Sequence, residues 1–155
     1  VDTSLWAEDR IEEYEKSLDH EFDAPLAVLR IPKIDLEVAV LAGTTELVLN
    51  RGVGHIAGTP LPGEPGNVGI AGHRDGYFRG LKDIAVGDAI HIDTLTGGST
   101  YTITETWIVE PPDVWVLEPT ATPSVTLVTC YPFYFVGHAP KRYIVKAALV
   151  DAEII

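Results

Sequence analysis

The segment DAIHIDTLTGGSTYTITETWIV, residues 88–109, decides the fold class. Before its glycines, Ala89-Ile90-His91-Ile92-Asp93 alternates in character. After them Tyr101, Ile103, Glu105 and Trp107 alternate with Thr100, Thr102, Thr104 and Thr106, a pattern of period two rich in β-branched residues. Between the two runs Thr96-Gly97-Gly98-Ser99 offers glycines for the positive φ of a tight turn, so the segment reads as a β-hairpin. Similar short runs recur at Leu26–Ile31, Leu36–Leu41, Asn67–Ala71, Val125–Thr129 and Arg142–Leu149. With Asp88–Thr94 and Thr100–Val109 they make seven predicted strands separated by turn signals, the signature of an all-β barrel or sandwich. Gly52–Gly66 is so dense in glycine and proline that it reads as an ordered loop over the barrel. Thr44–Asn50 predicts a short helix closed by Gly52, and Asp113 a cap for one turn over Val114–Leu117.

The period changes upstream of the strands. From Leu5 to Leu18 the apolar positions Ala7, Ile11, Tyr14 and Leu18 fall at helical spacing among acidic residues, predicting an amphipathic helix. His20–Pro25 follows as a linker. The expected organisation is therefore a helix and linker over residues 1–25, packed on the barrel or serving as a stalk, and one barrel domain over residues 26–155. A chain of 155 residues is long enough for one such core.

Charge narrows the function classes. The net charge is -12, opposite to the surface that phosphate neutralisation requires, which argues against nucleic acid as a partner. The first 23 residues hold nine acids and two bases, so the body of the chain is only mildly acidic. No apolar run reaches the roughly 18 residues of a membrane span. The chain starts at Val1 and holds no methionine, so a processed product with a signal or anchor removed upstream is the expectation.

Cys130 is the single cysteine, hence a buried filler, an intermolecular linker or a reactive thiol. It stands at the end of a strand, before Tyr131-Pro132, where proline ends regular pairing and a thiol can face a cleft. As a nucleophile it would need a cation or a proton acceptor nearby. His73, in Ile70-Ala71-Gly72-His73-Arg74-Asp75-Gly76, sits at another strand end, and His55, in Gly52-Val53-Gly54-His55, is its rival; on local sequence alone each reads first as a loop histidine satisfied by backbone groups. His91 fits a surface or hydrogen-bonded strand position, and His20 and His138 have no local support. Arg142 opens an apolar strand twelve positions after Cys130, so a returning chain can bring a guanidinium beside the thiol. No paired-cysteine or His-x-x-x-His spacing is present, and no metal is expected.

Thr126-Leu127-Val128-Thr129-Cys130 resembles the TLxTC signature of the sortases, cysteine transpeptidases that attach proteins to bacterial cell walls or assemble pili. Gly66–Arg74, Phe78–Leu81 leading into Val86-Gly87-Asp88, and Lys141–Val145 fit the family in order, and the resemblance covers residues 26–149. It implies a closed eight-stranded barrel with short helices, one strand more than the runs above provide. It further implies Cys130 as nucleophile, His73 as general acid and base, and Arg142 as the group that holds substrate and stabilises the tetrahedral intermediate. Thr129 would help form the oxyanion site, and the loop between Val109 and Val125, with Pro111-Pro112 and Trp115, would border the peptide groove.

The implied substrate is a surface protein or pilin bearing an LPxTG-like or LPxTA-like sorting signal. The implied acceptor is an amine of peptidoglycan or of a pilin lysine, and no cofactor is implied. Residues 20–30 lack the Asp-Pro-aromatic lid element of pilin-polymerising relatives, and Cys130-Tyr131-Pro132-Phe133 looks most like class D and related members. The family's membrane anchor would put the catalytic domain outside the cytoplasm. Two rivals remain at this stage: an endopeptidase that passes the acyl group to water, and a non-catalytic barrel that binds peptides.

Overall fold

A computed structural model describes residues 3, 4, 6–18, 24–110, 115–131 and 140–154. After an N-terminal helix, α1 (Glu8–Ser17), the strands are β1 (Ala27–Ile31), β2 (Leu36–Ala42), β3 (Val53–His55), β4 (Asn67–Ala71), β5 (Ala89–Thr94), β6 (Gly97–Val109), β7 (Ser124–Tyr131) and β8 (Lys141–Ile154). They close into a barrel in the order β1-β2-β3-β4-β7-β8-β6-β5, with β5 pairing back to β1. The pairs β2/β3 and β4/β7 are parallel and the rest antiparallel. Parallel neighbours need a crossover. Between β2 and β3 it is α2 (Glu46–Arg51), where Thr45 Oγ1 accepts from Val48 N at 3.3 Å and Gly52 follows the last turn, as the sequence predicts.

The barrel interior is predominantly apolar. Leu29, Ile31, Val40, Ile70, Ile90, Ile103 and Leu127 have no solvent exposure, and each such side chain contributes about 2 kcal/mol of burial free energy. Alternation along β7 sets the two faces of the sheet near the site. Val125 and Leu127 enter the core cluster, so Thr126, Val128 and Cys130 lie on the outside.

Four sequence expectations change here. The eighth strand is β3, inside the segment read as a loop: Gly54 packs so tightly that a Cβ there would overlap the Gly43 carbonyl oxygen, and its glycine disguised a strand position. The β5–β6 turn is centred on Leu95 and Thr96, since Thr94 already pairs with Gly97. Register shifts between Thr100 and Tyr101 and between Ile103 and Glu105 break the single alternation of β6. Trp107 thereby moves to the face opposite Ile103. Finally, α1 packs on α2 with only part of its apolar stripe: Tyr14 turns inward with Arg10 and Ser17, and Ile11 is half-buried, whereas Ala7 is exposed and Leu18 is 50% exposed. A 3-10 turn covers Trp115–Leu117, while its expected cap Asp113 and linker positions 20–23 lie outside the described residues.

Candidate active site

The antiparallel register of β7 and β8 sets Cys130 directly opposite Arg142. Residues opposite one another share a face of the sheet, so thiol and guanidinium project together from the outer surface of the barrel. The described part of β7 runs to Tyr131, next to Pro132 in the sequence. Arg142 Nη1 donates to Lys141 O at 2.9 Å, which folds the guanidinium back along its own strand. Cys130 is partly exposed, and therefore is no filler of the core.

His73 reaches the same end of the sheet through β4. Ala71 pairs with Val128 in the parallel β4/β7 ladder, and Gly72 N donates to Val128 O at 3.1 Å. Two residues beyond each member of that pair stand His73 and Cys130, at the adjacent exits of two parallel strands. The turn is tight because Gly76 N and Phe78 N both donate to His73 O at 3.2 Å. Gly72 permits it: a Cβ there would lie 2.6 Å from the ring of Phe78, which is fully buried.

The His73 side chain is 16% exposed, and its Nε2 lies 3.2 Å from Glu46 Oε1 without hydrogen-bond geometry. Burial lowers its pKa below 6.5, and the Arg10 guanidinium adds to the lowering, against Glu46 and Asp75. Glu46 is 68% exposed, so water screens much of its pull and burial prevails. At neutral pH the imidazole is chiefly neutral, a proton acceptor whose conjugate acid gives up its proton readily.

The outer face continues beyond the Cys130–Arg142 pair along β8 and β6. Ile144 pairs with Val128 on one side and Trp107 on the other, placing Trp107 on the Cys130 face. Trp115 packs edge-on against Trp107 with ring centroids 5.1 Å apart and stays 47% exposed. Its loop is tied down by Asn67, which is fully buried. Asn67 Nδ2 donates to the carbonyls of Val116 and Glu118, each at 3.0 Å, and Oδ1 accepts from Thr126 Oγ1 at 2.6 Å and Ser124 Oγ at 3.2 Å. Asn67→Ala is expected to cost about 3 kcal/mol by stranding these groups, which lowers the melting temperature by about 6–12 °C. Thermal melts check it, and an unchanged melting temperature would show that the network contributes nothing. Thr129 points the other way: it is 2% exposed, alternates to the face opposite Cys130, and its hydroxyl has no hydrogen-bond partner among the described residues. What Thr129 can offer the outer face is backbone.

His55 is structural. It is 7% exposed, and its Nε2 donates toward Pro60 O at 2.8 Å and Thr59 O at 3.1 Å, holding the loop after β3. His91 Nδ1 lies 3.0 Å from Thr100 Oγ1 across the β5/β6 pair. His20 and His138 are outside the described residues. Among the described residues no three His, Cys, Asp or Glu side chains converge as metal ligands would, and no helix is long and apolar enough to cross a membrane. Sequence reading passed over Asn67, Glu46, Asp75 and Arg10. The signal for Asn67 was an amide at the head of an otherwise apolar strand; the other three have no local signal.

Comparison with known proteins follows the same elements. The Sortase domain family model matches residues 29–150. The chain is 39% identical over 119 residues to Sortase D of Bacillus subtilis (strain 168), a match that covers 76% of this chain and 60% of that protein. It thus spans about three-fifths of that curated relative. Among solved structures it is similar to a Clostridium perfringens Sortase D5 transpeptidase, with 36% identity and a TM-score of 0.75, covering 91% of this chain and 89% of that one. It is also similar to Sortase E1 from Streptomyces coelicolor, solved with a tripeptide in the active site, with 30% identity, a TM-score of 0.76, and coverage of 84% and 90%.

Proposed function

The chain belongs to the sortase family, and from that premise we propose that it is a cysteine transpeptidase acting on an LPxTG-like or LPxTA-like sorting signal. The observation that carries the reading is the register of Cys130 with Arg142 on one outer face, with the His73 turn leaving the neighbouring strand at the same end. A thiol, an imidazole and a guanidinium are the set that acyl transfer through a thioester uses.

In this reading the Cys130 thiolate attacks the carbonyl carbon between Thr and Gly or Ala of the bound signal. Arg142 and nearby backbone N–H groups hold the developing oxyanion, with Thr129 contributing through its main chain. The C–N bond breaks as protonated His73 gives its proton to the departing amine, leaving a Cys130 thioester. An incoming amine then attacks, neutral His73 takes its proton, and the thiolate leaves. Because both forms of His73 are needed, the pH profile reports macroscopic values of the coupled pair rather than two residue constants. The Trp107–Trp115 wall is the surface we assign to the signal peptide, and the tripeptide in the active site of the Streptomyces coelicolor relative supports a peptide as the occupant of the site.

The substrates are surface proteins or pilins with a C-terminal sorting signal, and the acceptor is an amine of peptidoglycan or of a pilin lysine. Residues 26–155 form the catalytic domain in this proposal and residues 1–25 its N-terminal appendage. The class D character rests on the two D-type relatives. Members of the family are cell-surface enzymes, and we place this domain at the outer face of a bacterial membrane.

Intact-protein mass spectrometry with a panel of LPxTG-like and LPxTA-like peptides tests the proposal. The expected result is an acyl adduct that resolves to an amine-linked product when an amine is added. Release as free acid even at saturating amine would make it an endopeptidase. No adduct from any peptide, together with a thiol that resists alkylation in the folded state, would favour a non-catalytic peptide-binding barrel.

A further inference from the structure

The N-terminal helix does more than rest on the barrel. Arg10, at the centre of its inward face and only 17% exposed, donates from Nε to Asp75 Oδ1 at 3.0 Å. Its Nη1 reaches Glu46 Oε1 at 3.1 Å and Asn50 Oδ1 at 2.6 Å. That Glu46 oxygen is the one 3.2 Å from His73 Nε2. A Cβ at Gly76 would touch both the Arg10 stem and His73 Cβ at 3.5 Å, so the two side chains flank one glycine. Further along the same turn, Tyr14 of the helix and Trp6, which precedes it, pack edge-on against Tyr77, with centroids 6.1 and 4.8 Å apart. The turn bearing His73 is thus held at two points by the N-terminal segment.

We propose that Arg10 is a positioning residue for His73, its guanidinium tying the N-terminal helix to Asp75 and Glu46 so that the histidine turn is held in one geometry. The charge pattern makes Arg10 the residue that permits docking. α1 belongs to a segment with nine acids, and it meets a surface presenting two more carboxylates. Its other base, Lys16, faces Glu13 at 3.7 Å on its own helix. Only a planar fork can satisfy a carboxylate, a second carboxylate and an amide at once; the ammonium of lysine is a point donor. The charged groups acting on the imidazole are Arg10 from α1, Glu46 from α2 and Asp75 from its own turn. Arg10 disfavours the imidazolium, while its pairing with both carboxylates weakens the two groups that would favour it.

The proposal rests on the transpeptidase reading for its kinetic consequence, and the test separates the two. In a Cys130→Ala background, the His73 imidazole, assigned by its loss in His73→Gln, is titrated by NMR in the parent, Arg10→Met and Arg10→Lys. The expected result is an upward shift of the His73 midpoint in Arg10→Met and little shift in Arg10→Lys, which keeps the charge. With Cys130 intact, both variants lose about tenfold in kcat with KM within about twofold, as a misplaced acid-base group produces. The pH profile as a whole is displaced upward in Arg10→Met alone, since its limbs belong to the coupled pair. An unchanged His73 midpoint in Arg10→Met, or activity that falls only in step with the folded fraction in melts, overturns the proposal. The titration arm needs no turnover, so an inactive parent would sink the transpeptidase reading while leaving Arg10 decided.

Discussion

Cys130→Ala is expected to abolish peptide cleavage and transfer, a loss of at least about 10⁴-fold in kcat, while leaving the melting temperature within a degree or two. The two halves have separate physical grounds. Without Sγ there is no atom to carry the acyl group, and what remains can bind and polarise the signal but cannot form the thioester. Stability is spared because Cys130 lies on the outer face of β7, partly exposed, next to the end of the strand. Removing one sulfur from such a position opens no cavity in the barrel interior, which Val125 and Leu127 fill from the other side. The check is paired: adduct formation by intact mass and a thermal melt on the same sample. Turnover surviving in the variant would remove the nucleophile from Cys130, whereas a melt lowered by many degrees would reassign the cysteine to packing.

The contrast between Cys130 and Arg10 shows what a sequence displays and what it conceals. Strands with period-two patterning were readable because alternation follows directly from pleating, and the parallel β4/β7 pair still carried its apolar inner face in Val68 and Ile70. β3 was hidden for the opposite reason. Its three residues centre on Gly54, needed for close approach to Gly43, and glycine in a sequence announces a loop. Trp107 was visible as a strand residue, yet the face it takes depends on a register shift that no local pattern records.

The positions of Cys130, His73 and Arg142 were legible as ordered motifs, although their neighbourhood was not. Arg10 is 65 residues from Asp75 and 40 from Asn50 in sequence, and its partnership exists only once the helix has docked. Of the apolar stripe of α1, Tyr14 docks and Ile11 is half-buried, while Ala7 and Leu18 remain outside. The docked face is completed by Trp6, just before the helix, and by a guanidinium that no apolar pattern marks.

Arg142→Lys is the second large effect, an expected loss of about 10²–10³-fold in kcat with the fold intact. Charge is conserved in this variant, so what it measures is shape. Arg142 is the second residue of β8, paired with Cys130 on one side and Val109 on the other, and it is fixed where the outer face meets the strand ends. Its Nη1 already spends one donor on Lys141 O, which orients the plane of the guanidinium along the strand. A fork with five donors keeps that anchor while others meet a carbonyl oxygen as it becomes an oxyanion. Lysine at the same position has three donors on a single flexible atom, and it must give up the anchor to reach the oxyanion. The deficit belongs to the transition state, so kcat falls and KM changes little. Because the substitution conserves the charge, the pH profile keeps its limbs and loses only height. A lysine variant with full kcat would show that a positive charge alone suffices, and an equal loss in kcat/KM arising wholly from KM would move Arg142 from the intermediate to ground-state binding of the signal.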